Sequence, residues 1–305
     1  MLIKKFRKSG IILLGLCAAL FIFYEVMSYL SKPVPDHPYF NPAGFMVIAH
    51  RGGRSLGPEN TLYTYRRAVD LGVDVLEIDV HLTRDNRLAV IHDKTVDRTT
   101  NGSGTVASHT LADLQKLDAA YRWSADSKNP FSLRGKGIKI PSLVEVFKTF
   151  PQMRINIEIK DPKPAAITSL CRTIKDHAMS QKVMIASFSA GALKKFRAAC
   201  PAVATSAGAS ETLWFYALQK MHLESAYTPN AQALQVPENY GDLQVVNEKF
   251  IAAARARNMR VQVWTVNDIE SMKRLLKHGV DGIMTDYPQR LIEILPEFLY
   301  PNNPS

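Results

Sequence analysis

The chain has 305 residues, 46% of them hydrophobic and 22% charged, which excludes a disordered or fibrous polymer and leaves room for one large domain or two ordinary ones. Its formal net charge is +10, and Lys4, Lys5, Arg7 and Lys8 supply four of those charges at the extreme N-terminus. No basic helix or aromatic–basic ladder accompanies the rest, so nucleic acid is not the expected partner; anionic lipid or a phosphorylated substrate is.

In chain order, the basic KKFRK stretch precedes SGIILLGLCAALFIFY, residues 9–24, which carries no charge. Those 16 residues fall short of the roughly 20 that cross a bilayer, but Ser9 to Leu30 makes 22, with Glu25 near one end. Residues 1–31 are therefore expected to be a basic segment followed by an uncleaved transmembrane helix, with the basic end cytoplasmic and everything from about residue 32 outside. A cleaved signal peptide is the alternative, but Met27 to Ser31 offers no small-x-small site, and Leu16 before Cys17 makes a weak lipoprotein signal. Residues 32–44, with four prolines between 33 and 42, read as a stiff linker.

Short apolar runs then recur at 46–50, 74–80, 155–160, 183–188, 202–207, 233–236, 260–266 and 281–285. Helical patterns at 61–71, 164–178, 190–199, 246–257 and 269–277 separate most of them. Eight strands alternating with helices predict an α/β fold, a (β/α)8 TIM barrel over 45–300. A doubly wound sheet is the alternative, but no Gly-x-Gly-x-x-Gly turn is present. Residues 94–140, with NGSG and RGKG turns and aromatics at Tyr121, Trp123 and Phe131, read as a small cap inserted after strand two. Cys17, Cys171 and Cys200 are expected to be free thiols, and no Cys-x-x-Cys pair suggests zinc.

A barrel places chemistry at the C-terminal ends of its strands. His50 and Arg51 end the first, Glu77 and Asp79 lie late in the second, and Glu158 and Lys160 end the third. Trp264 lies late in the seventh, and Asp286 follows the eighth. Glu77 and Asp79 are two apart and share a face, as do Glu158 and Lys160. Three carboxylates converging on one mouth repel unless a cation sits among them, and oxygen-only ligands favour one hard ion, Ca2+ or Mg2+. The bland reading pairs these carboxylates with Arg51, Lys160 or other basic residues. His50 and His92 each end an apolar run, whereas His37, His109, His177, His222 and His278 read as ordinary; His81 shares the face of Glu77 and Asp79. Two imidazoles across a metal could divide proton transfer between them. In PENT, residues 58–61, Asn60 or Thr61 caps the following helix, while Glu59 could brace Arg51 or the metal's surroundings. The rigid fork of Arg51 suits a pair of phosphate oxygens.

HRGG, PENT, EIDVHLTRD, VIHD, EIK, VWTVN and TDYP, in this order over about residues 46–295, resemble the glycerophosphodiester phosphodiesterase family. The resemblance implies a barrel with one divalent cation on Glu77, Asp79 and Glu158, His50 and His92 as acid and base, and Arg51 and Lys160 on phosphate. From its position at the end of the seventh strand, Trp264 is a further expected substrate contact, and Glu59 and Asn60 are expected to lie behind the site. The implied reaction turns a glycerophosphodiester into glycerol 3-phosphate and an alcohol. The anchor and aromatic cap raise a second reading, removal of a head group from a membrane lysophospholipid, for which acyl-chain space near Tyr121, Trp123, Phe131 and Trp264 would decide. A phosphodiester-binding protein without turnover is the third, but no motif residue is substituted.

Overall fold

The computed structural model describes the backbone of residues 2–125 and 130–299, and side chains of 14–125 and 130–298. The predicted cap therefore has residues 126–129, and the predicted barrel its last residue, 300, outside the described ones. The chain opens with α1 (Leu2–Leu30), then β1 (Met46–Ala49), α2 (Leu62–Leu71), β2 (Val75–Leu82) and the short β3 (Leu88–Val90). After α3 (Leu111–Leu114) and α4 (Leu143–Thr149) come β4 (Arg154–Ile159), α5 (Pro164–Asp176), β5 (Val183–Ala186), α6 (Ala190–Ala199), β6 (Ala204–Thr205) and α7 (Ala209–Lys220). The last part comprises β7 (Ala233–Val236), the hairpin β8 (Asn239–Tyr240) and β9 (Leu243–Gln244), α8 (Glu248–Ala256), β10 (Arg260–Val263), α9 (Ile269–His278), β11 (Gly282–Thr285) and α10 (Pro288–Ile294).

Eight strands pair in parallel in the order β6, β5, β4, β2, β1, β11, β10, β7. A parallel bridge between Ser206 and Ala233 links the two ends, so the sheet closes into a barrel. All eight correspond to the apolar runs read in the sequence. Predicted helices also recur within a few residues, as in α6, while α4 and α7 add to them. Local signals set the ends: Thr61 caps α2 by accepting the Thr64 N–H, and Asp268 caps α9 by accepting that of Ser271. Outward strand residues such as Leu76, Ile78 and Ile157 pack under the helices in one cluster. The inserted segment after β3 has its own small core, including Val96, Val106, Leu114, Ala120 and Ile140.

Two expectations are corrected. The Pro-rich segment is no free linker: a 3-10 turn at Pro38–Phe40 buries Tyr39 and Phe40 against Met46, Ile48, Val75, Met184 and Met284, closing the barrel's N-terminal end. Burial of each ring contributes roughly 2 kcal/mol, so apolar area outweighs the stiffness of the prolines. Cys171 and Cys200 are not free thiols; they form a disulfide between the middle of α5 and the residue that ends α6. Spacing alone could not show this, because the pair lies 29 residues apart and meets only when neighbouring helices dock. Cys17 is a free cysteine.

Among the described residues no helix is long and apolar enough to cross a membrane. The expected transmembrane span falls partly on residues 9–13, whose side chains lie outside the described ones.

Candidate active site

The backbone of HRGG builds the first wall. Arg51 is held at φ 51°, in the left-handed region, and Gly52 follows at φ 86°. A Cβ on Gly52 would meet the Tyr65 ring at 2.5 Å, so only glycine fits this approach. The turn aims the Arg51 N–H at Glu77 Oε2, 2.8 Å away.

Glu77, Asp79 and Glu158 each bring a carboxylate oxygen within 4.8 Å of the others, on the neighbouring strands β2 and β4. Lys160 Nζ lies 3.1 Å from Asp79 and 2.8 Å from Glu158, and Arg51 Nε 3.6 Å from Asp79. Asn60 Nδ2 donates to Asp79 Oδ2 at 2.8 Å, and the Asn60 carbonyl oxygen accepts from Tyr65. The bland pairing is thus present, but it does not balance the cluster. Arg51 also serves Glu59, at 2.9 Å, and its buried Nε has no hydrogen-bond partner. Burial pushes the Glu77 carboxyl well above the usual range, and the charges of Asp79 and Glu158 push it the same way. Burial opposes the charge on Lys160, yet Asp79 and Glu158 raise its pKa. An all-oxygen donor set with negative charge left over fits a hard divalent cation.

The histidines are built alike. His50 Nδ1 lies 2.8 Å from Asp286, and His92 Nδ1 2.7 Å from Asp93. Burial raises both aspartates, but hydrogen bonds outweigh it: Arg98 and His92 pull Asp93 down, and His50 and Asn267 pull Asp286 down. An ionised carboxylate only accepts, so each Nδ1 carries a proton and each Nε2 is left for the reaction. His81 Nε2 donates to the His92 carbonyl at 3.0 Å. Glu59 is the hub behind them, bonded to Arg51, Arg54 and Arg98. Burial raises its pKa, but the hydrogen bond from Arg98 and the three guanidinium charges bring it down to about 2. Trp264, half-buried, packs on the interior cluster and meets Phe188 edge-to-face at 5.8 Å.

All the sequence-predicted residues except Trp264 thus join one hydrogen-bonded constellation at the C-terminal ends of β1, β2, β3, β4 and β11. Asp93, Arg98, Arg54 and Asn267 were not singled out in the sequence, and Asp286 had a position but no partner. Adjacency to His92 was the available signal for Asp93; the His50–Asp286 contact spans 236 residues and needs the β1–β11 pairing.

A model of the glycerophosphoryl diester phosphodiesterase family matches residues 50–290, spanning every residue of this constellation. The chain belongs to that family. A glycerophosphodiester phosphodiesterase of Caldanaerobacter subterraneus is 35% identical over 260 residues, covering 82% of this chain and 97% of its own. A human lysophospholipase D is 25% identical over 276 residues, covering 82% and 86%. An Oleispira antarctica phosphodiesterase, solved with the product sn-glycerol-3-phosphate, is 26% identical with a TM-score of 0.69 over 85% of this chain and 99% of its own. As a member of this family the chain is a phosphodiester hydrolase.

Proposed function

We propose that this family member hydrolyses soluble glycerophosphodiesters to glycerol 3-phosphate and an alcohol, with one Ca2+ or Mg2+ ion held by Glu77, Asp79 and Glu158. The observation carrying this reading is the juxtaposition of an under-neutralised three-carboxylate cluster with two histidines, each braced through Nδ1 by an aspartate. The bound cation would supply Lewis-acid polarisation of a non-bridging phosphoryl oxygen. Arg51 and Lys160, beside the carboxylates, orient the phosphate. One imidazole Nε2 takes the proton of the nucleophile, water or the neighbouring glycerol hydroxyl; the other histidine, protonated, donates to the departing alcohol oxygen. Asp286 and Asp93 keep the rings oriented through Nδ1.

The cap supports a soluble substrate over a lysophospholipid. Arg134 stacks 4.1 Å from both Tyr121 and Phe131, and Trp123 donates to the Arg54 carbonyl. Tyr121 and Trp123 are thus held within the cap, and Phe131, though exposed, stacks on Arg134. The lysophospholipid reading draws its support from the mouth, where Phe188 and Tyr240 are 67% and 76% exposed. We further propose that α1 anchors the chain in a membrane with the barrel on the non-cytoplasmic side. The basic residues before the apolar run support that orientation, and so does the disulfide, a feature of oxidising compartments.

The test is choline release from glycerophosphocholine and from lysophosphatidylcholine by the full chain in detergent, with Ca2+, Mg2+ or chelator. Expected are cation-dependent turnover, a preference for the soluble diester, and a loss of about 10²–10⁴-fold in kcat for His50→Ala and His92→Ala. Cation-independent turnover, or full activity in both variants, would sink the reading.

A further inference from the structure

We infer that α1 holds the barrel base-first against lipid, so that the catalytic mouth faces away from the bilayer carrying the anchor and takes its diester from solution. This rests on the proposed anchor and deepens the substrate reading.

The attachment is at the N-terminal end of the barrel. The Tyr24 hydroxyl lies 2.5 Å from that of Ser225, in the 3-10 turn Glu224–Ala226 between α7 and β7. Ser31 donates to the Ser225 carbonyl, and Arg257, just past α8, donates to Ser31 Oγ at 3.1 Å and to the Ser225 carbonyl at 3.0 Å. The chain beyond is zipped on: Val34 N–H donates to the Arg257 carbonyl, Asn258 donates to Val34 and Asp36, and Arg154 donates to Asn41. Tyr39 and Phe40 then close the barrel floor. There is no slack tether here; the helix is fixed to the end of the barrel opposite the metal cluster.

The same helix supplies the occupant. Between residues 14 and 31 only Tyr24, Ser28 and Ser31 are half-buried, at spacings of four and three, one stripe of a helix. Every other position in that stretch is exposed, and most are large and apolar: Leu20, Phe21, Ile22 and Phe23 are each more than 60% exposed. Apart from Glu25, the surface this stretch leaves exposed is uncharged and mostly apolar, which suits lipid rather than a groove on a partner. The basic cluster at its start complements anionic head groups. A mouth held at the far end cannot reach a phosphodiester lying in the anchoring leaflet.

The test uses the full chain with Cys17→Ser, floated with phosphatidylcholine vesicles containing brominated acyl chains, and a bimane label at Ala202→Cys or Tyr240→Cys. Ala202 is an exposed base residue between α6 and β6, and Tyr240 is exposed in the β8–β9 hairpin on the mouth side. The inference expects quenching at 202 at least twofold stronger than at 240, and lysophosphatidylcholine in the same vesicles hydrolysed no faster than in separate, protein-free ones. Equal or stronger quenching at 240, or faster hydrolysis of lysolipid in the same bilayer, would overturn it. Protein left below the vesicles on flotation overturns the anchor itself, whereas absence of glycerophosphocholine turnover with the expected quenching overturns only the substrate reading.

Discussion

The two ends of the barrel are made from the same strands and are opposite in chemistry. At the base, Tyr39, Phe40, Met46, Met184 and Met284 fill the interior with apolar volume. At the mouth, a few residues further along β2 and β4, Glu77, Asp79 and Glu158 crowd together with only part of their charge balanced. The contrast teaches where stability is made and where it is surrendered. The base pays the conformational entropy of closing the chain on itself, and the mouth stores electrostatic tension that a ligand relieves.

The largest effect should come from relieving that tension without a ligand. Glu77→Gln keeps an oxygen for the Arg51 N–H but removes one buried charge. Cation-dependent turnover is expected to fall by at least about 10²-fold, while the apo protein melts at the same or a higher temperature. A lower melting temperature with activity retained would make the cluster structural and erase the contrast. Next is the covalent tie near the base. Opening Cys171–Cys200 by the double serine variant should cost about 3–4 kcal/mol, from the loop of 29 residues it closes, with kcat at 25 °C unchanged. Denaturant unfolding monitored alongside turnover checks both halves.

Acid sharpens the comparison at the hub of the mouth. Glu59 has its folded pKa lowered from 4.5 to about 2. A lowered carboxylate stabilises the fold above its unfolded pKa, and that contribution is lost as pH falls from about 4.5 through 2. The loss is roughly 3 kcal/mol, since each unit is about 1.4 kcal/mol. Glu59→Gln should flatten the stability profile across that window; an unchanged profile would put the acid sensitivity elsewhere. The smallest effect belongs to the floor. The Tyr39 hydroxyl is buried without a hydrogen-bond partner among the described residues, so Tyr39→Phe should stabilise the fold by about 1 kcal/mol and leave activity alone. A destabilising result would mean that the hydroxyl is satisfied, by water for instance.

Much of this was legible in the chain. A buried parallel strand must be an unbroken apolar run, so eight such runs told the architecture, and any charge at the end of one had to have a purpose. That is why His50, Glu77, Asp79, His92, Glu158 and Lys160 stood out without coordinates. Prolines misled at residues 32–44, because composition reports stiffness while burial depends on what a segment lies against; Tyr39 and Phe40 lie under an open barrel end. Cys171 and Cys200 misled for a related reason: one is an ordinary mid-helix residue and the other an ordinary helix end until α5 and α6 are set side by side.

The sequence by itself determined the strand-and-helix alternation and the identity of the charged residues at the strand ends, because periodicity and polarity are local properties of a few consecutive side chains. Tertiary structure alone decided the pairing of His50 with Asp286, the convergence of Arg51, Arg54 and Arg98 on Glu59, the disulfide, and the end of the barrel to which α1 is fixed. Each of these joins groups far apart along the chain, and their distance is set by closure of the β-sheet, which no window of sequence contains.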